Sequence, residues 1–126
     1  MRFMMIVHGP EDFGKAGPPP RELMEAIGKL GEDAFKAGTM VSMGGLRPTS
    51  KGARVRQTGG KLVTTDGPFT EAKEVIGGFS IMDLPSKEAA LQAARDFMEL
   101  HLKYWPKWEG ECEVRQMYAD GEMPDF

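Results

Sequence analysis

One cysteine, Cys112, and two histidines, His8 and His101, are the chain's whole supply of thiol and imidazole ligands. A single thiol excludes an internal disulfide framework and fits a reducing compartment. Two histidines far apart with that one cysteine make no zinc-type ligand spacing, so no metal is expected. No apolar run approaches the ~20 residues that a membrane-crossing helix needs. The N-terminal RFMMIVH is too short for a signal-peptide core and lacks a cleavage pattern. No run of like charge is long enough to suggest a tail. With 16 basic and 19 acidic residues the net charge is −3, which invites neither nucleic acid nor a membrane surface. These absences predict a soluble, cytoplasmic protein. A chain of 126 residues suits one domain, residues 1–126, whose core needs no covalent staple.

The chain does hold ten methionines. Met4, Met5, Met40, Met43, Met82 and Met117 fall in strand-like segments, where their flexible side chains fill irregular core gaps. Residues 2–8 are apolar on both alternating faces after Arg2, the pattern of a strand covered on both sides. Residues 9–20, with three glycines and four prolines, read as an extended loop. Leu23, Ile27, Leu30, Ala34 and Ala37 lay an apolar stripe along a first helix that Pro20 opens and Gly38 stops. A second strand spans residues 39–46. ARVRQ and KLVTT flank Thr58-Gly59-Gly60, a hairpin signal. A strand over 78–84 follows, then a helix capped by Ser86 whose apolar side is Ala90, Ala93, Ala94, Phe97, His101 and Tyr104. The last strand is 111–118, and 119–126 is a loose tail.

This order predicts an α+β ferredoxin-like sandwich: a mostly antiparallel sheet with two helices on one face. Two helices leave the second apolar face of residues 2–8 bare. Its cheapest cover is a second copy of the same sheet in a two-fold homodimer.

Between the hairpin and the following strand runs TTDGPFTEAKEVIGGF, residues 64–79. Together with RFMMIVHG at the start and GECEVRQM near the end, it resembles the DGPF-type proteins of the YCII-related family over roughly residues 2–118. The resemblance implies a ferredoxin-like fold pairing into a dimeric α+β barrel. It implies little about activity, since many members have no assigned reaction. It also implies a partner, because some DGPF-type proteins occur beside, or fused to, extracytoplasmic-function sigma factors. More distant relatives carry a histidine–aspartate pair. Asp66 lies near the aspartate region, whereas residues 21–37, which form the first helix, hold no histidine.

Candidate site residues follow from strand ends beside the expected dimer cleft. Asp66 and His8 are the candidate catalytic pair, a carboxylate and an imidazole suited to proton transfer. The other view makes Asp66-Gly67-Pro68 plain turn punctuation, with Phe69 as a plug and His8 satisfied at the rim. Ser42, Arg47, Pro68, Phe69, Glu71 and Lys73 are candidate ligand-binding residues, with Arg47 as a two-bonded anchor for an anion. Arg54 and Arg56 read as a solvated hairpin face, Cys112 as an inert core thiol. The expected function is binding or acid–base transformation of a small organic molecule without a cofactor. The competing reading is a non-catalytic sensor or regulatory partner of a sigma factor.

Overall fold

A computed structural model describes residues 1–124; the last two residues of the expected tail 119–126 lie outside the described residues. Among the described residues six strands and two α-helices follow in the order β1 (Arg2–Gly9), α1 (Arg21–Lys36), β2 (Met40–Gly45), β3 (Ala53–Thr58), β4 (Lys61–Asp66), β5 (Val75–Asp83), α2 (Lys87–Tyr104) and β6 (Glu111–Gln116). Four strands make one antiparallel sheet in the order β2-β5-β1-β6, and β3 and β4 form a separate hairpin. The architecture is therefore α+β, as the alternation of patterns predicts. No described helix is long and apolar enough to cross a membrane.

β1 lies at the centre because both its faces are apolar. Phe3 and Met5 are almost fully buried and form the core with Met82 and Ala90, flanked by Ala34 of α1 and Ala93 of α2. Both helices thus cover the Phe3/Met5 side. Leu23 on α1 and Ala90, Ala94 and His101 on α2 are the buried points of the two helical stripes, and small alanines let α2 approach the sheet closely. Ser86 caps α2 as its sequence predicts, its hydroxyl oxygen accepting from the Ala89 N–H at 3.1 Å.

Three local readings change. The segment 9–20 is not all extended loop: Glu11–Ala16 holds short 3-10 turns broken by a kink where Asp12, Phe13 and Gly14 take positive φ. Phe13 then packs edge-on against Trp105, their centroids 5.4 Å apart, which gives this segment an anchor that periodicity does not reveal. β5 begins at Val75 rather than Gly78, because a bulge between Val7 and His8 lets Ile76 and Val75 extend the pairing. β6 ends at Gln116 rather than Tyr118. The hairpin turn is as read, with Gly59 and Gly60 at φ 56° and 73°, the left-handed pair of a tight two-residue turn.

The segment after β4 is tied down by two distant loops. The Gly67 N–H donates to the Gly52 carbonyl at 2.9 Å. A β-carbon on Gly67 would overlap the Thr49 carbonyl. Thr49 in turn accepts from the Phe69 N–H at 3.1 Å, and its own N–H and hydroxyl donate to the Glu11 carboxylate. Overpacked sites cost about 1–3 kcal/mol even where the neighbour is a yielding side chain, and here the neighbour is backbone. Gly67→Ala is expected to lose at least about that much, read as a lower urea midpoint; an unchanged midpoint would mean that the loop packs otherwise.

His101 sits 6 % exposed amid Phe97, Trp105 and Trp108. Burial pushes its imidazole below the usual value, partly opposed by the bond to the Phe97 carbonyl. The folded state therefore holds fewer protons than the unfolded one once pH falls below about 6.5. Stability contributed by the neutral ring is complete above that value and lost as pH drops through the depressed folded value. The wild-type melting midpoint should fall more steeply than that of His101→Phe between about pH 7 and pH 5; parallel curves would contradict the buried neutral ring.

Candidate functional site

The sheet face away from the helices carries a row set by register. Cross-strand partners share a face, so Met4 with Ile81, Ile6 with Phe79 and Ser42 with Ile81 all point outward. Met4, Ile6, Phe79, Ile81 and Ser42 are only half-buried in the single chain. At one end the row closes with the paired Arg2 and Asp83, whose two hydrogen bonds measure 2.9 and 3.2 Å. At the other end stands His8.

His8 meets a carboxylate, and that carboxylate is Glu113. Its Nε2 lies 2.9 Å from Glu113 Oε1. Glu113 faces Ile6 and Glu111 faces His8 across β1 and β6, so the imidazole reaches diagonally along the open face. Arg115, two residues on, donates from Nε at 2.7 Å and from Nη2 to the second oxygen, Oε2. The bond from His8, then that from Arg115, hold the Glu113 carboxyl below the usual carboxylate range. An ionised acceptor, a partly buried imidazole and an apolar floor are together suited to moving a proton on a small molecule.

The remaining sequence candidates divide into two groups. Phe69, Glu71 and the neighbouring Pro68 belong to the tied loop. The Arg54 guanidinium lies 3.7 Å above the Phe69 ring centroid and also pairs with Glu71, and that pairing lowers the Glu71 carboxyl below its ordinary value. Arg54 is thus not a purely solvated hairpin charge; it pins the motif. Pro68 follows a cis peptide bond from Gly67 and is exposed. Lys73 lies on a shallow opening of about 320 Å³ shared with Pro10, Glu74, Glu109, Gly110 and Glu111. Because Glu111 is the direct cross-strand partner of His8, this opening adjoins the His8 end of the sheet.

Asp66 and Arg47 stand apart. Asp66, the last residue of β4, is exposed beside Ala53 on the hairpin. Among the described residues no hydrogen bond or ion pair joins it to His8. Arg47 is exposed in the loop after β2. Cys112 faces Val7, and burial pushes its thiol up to about 11, which leaves it protonated and inert. The aromatic group around His101 is core, with the Trp105 and Trp108 rings stacked at 5.4 Å and 9°.

Sequence reasoning missed Glu113, Glu11 and Thr49. Only the alternation of Glu113 and Arg115, which places both on one strand face, hinted at the first. Nothing in the spacing pointed to the other two.

The sequence matches the YCII-related domain family over residues 1–100. It is also 35% identical over 104 residues to an uncharacterized protein of Rhizobium meliloti (strain 1021), covering 81% of this chain and 80% of that one. On both grounds, the chain belongs to the YCII-related domain family.

Proposed function

We propose that the protein is a ferredoxin-like domain that pairs sheet to sheet into a dimeric α+β barrel. In this reading the hollow between the sheets takes a small organic molecule at its His8 end. The observation that carries it is the helix-free face itself: a half-buried apolar row, Met4, Ile6, Phe79 and Ile81, leading to the bonded His8 and Glu113. A bare apolar sheet face is costly in water and calls for cover. A polar pair at its end then lies where a ligand is shielded and oriented. His8 serves as the proton carrier, Asp66 as a second carboxylate on the rim, and Arg47 and Lys73 as anchors for an anionic group on the ligand. Ser42 and Phe69 border the hollow. The chemistry is proton transfer of the isomerase or lyase type, which needs no cofactor.

A second reading is favoured by the β3–β4 hairpin, where Val55 and Leu62 are 68 % and 71 % exposed. On that reading the domain is a regulatory partner of a sigma-type protein, docked through the hairpin.

Light scattering at micromolar concentration should give twice the 13.9 kDa chain mass, and Ile6→Lys, a charge at the centre of the open face, should give the single mass. A monomeric wild type would remove the barrel. In a thermal-shift panel of small organic carboxylates, a true ligand stabilises by about 2.7 kcal/mol at a hundredfold excess over its dissociation constant, and His8→Asn abolishes turnover of that ligand. A dimer with no response to the panel, whose Val55→Lys variant loses a co-purified sigma-type protein, would favour the regulatory reading instead.

A further inference from the structure

The Glu-Val-Arg run at 113–115 is left without a role by the fold. Alternation on β6 sends Val114 to the helix side, where it packs against the core, and sends Glu113 and Arg115 to the open face. There the two oxygens of Glu113 are divided. Both Arg115 donors go to Oε2, and Oε1 is left for His8 Nε2 at 2.9 Å. Side-chain exposure falls inward along this chain, from 70 % at Arg115 through 30 % at Glu113 to 23 % at His8. The arginine is the solvated outer end and the imidazole the sheltered inner one.

We propose that Glu113 is the positioning residue of His8: it accepts the Nε2–H and so leaves Nδ1 as the ring's free, reactive nitrogen. An ionised carboxylate only accepts hydrogen bonds, so the ring nitrogen facing it must carry the hydrogen. Arg115 orients the carboxylate by occupying its other oxygen. During proton transfer a substrate C–H or O–H bond breaks and its proton forms the new Nδ1–H bond. The positive charge that arises on the ring is balanced by Glu113, which stays ionised throughout, and return of the proton to the product restores the neutral ring. The proposal rests on the reading of His8 as the proton carrier, yet its central geometric claim holds without any ligand.

His101 supplies an internal contrast. Its Nδ1 lies 2.9 Å from the Phe97 carbonyl, an obligate acceptor, so this ring holds its hydrogen on Nδ1. The chain's two histidines thus carry opposite tautomers. Two-bond proton–nitrogen NMR on the ¹⁵N-labelled full chain, at about pH 8 where an ordinary imidazole is neutral, reads both rings at once. The expected spectrum shows His8 protonated on Nε2 and His101 on Nδ1. In Glu113→Val, His8 should lose its single form and show both tautomers in exchange, with His101 unchanged as the sign of an intact core. Should that variant fail to fold, Glu113→Gln keeps the side-chain shape, and its amide presents either oxygen or nitrogen to the ring, so the single form is again lost. His8 protonated on Nδ1 in the wild type, or a single Nε2–H form surviving in the folded variants, would overturn the proposal. A correct tautomer in a protein that neither binds nor turns over any member of the carboxylate panel would sink the functional reading and leave the positioning geometry standing.

Discussion

The structure depends on one strand being apolar on both sides. Because β1 alternates Phe3 and Met5 with Met4 and Ile6, it is driven to the middle of the sheet, where neighbours on each edge satisfy its backbone and both faces can be covered. The Phe3 side is covered by α1 and α2. The proposed function rests on the side that the helices leave bare. His8 is on that side because it is two residues beyond Ile6 and four beyond Met4. Had the strand slipped by one residue, His8 would face the helices and Glu113 would lose its partner.

The same constraint explains which parts of the molecule were readable in advance. Local rules sufficed for the β1 pattern, for the two helical stripes, for Ser86 as a cap and for the glycine turn of the hairpin, since each is decided by residues within a few positions of one another. The bond between His8 and Glu113 spans 105 positions, and its existence depends on the register of β6 against β1. No spacing rule reports such a register. The expected partner, Asp66, was chosen because it ends a strand next to a turn. In the fold that strand belongs to a separate hairpin, and within one chain no hydrogen bond or ion pair among the described residues joins Asp66 to His8. The 3-10 turn after β1 was hidden for a similar reason, its anchor Phe13 meeting Trp105 at the far end of α2.

The DGPF stretch looks like a chemical motif, and its bonds in the single chain are mechanical. Gly67 is the one residue that fits against the Thr49 carbonyl. Phe69 is gripped by the Thr49 hydroxyl from one segment and the Arg54 guanidinium from another. Glu11 anchors Thr49 and thereby couples the turn after β1 to the loop after β4. A site lined by loops needs such ties, because a loop free to move would spend binding energy on being ordered. The motif's specificity of sequence is therefore compatible with a role in shaping the rim of the His8 end rather than in reacting there.

The two histidines show how far environment decides what one residue type does. His101 is sealed among aromatic rings, donates to the Phe97 carbonyl and is held neutral by burial. For that ring a proton is only a cost, and its effect is on stability. His8 has the same imidazole but keeps about a quarter of its side chain exposed and faces an anion. A charge arising on His8 during proton transfer would meet a carboxylate that Arg115 already orients and that already bonds the ring at 2.9 Å. Only the second arrangement lets a proton come and go without disturbing the core. That asymmetry, produced by the two faces of β1 and β6 and not by any feature of the histidines themselves, is the physical ground for the proposal that puts a proton carrier at the open face.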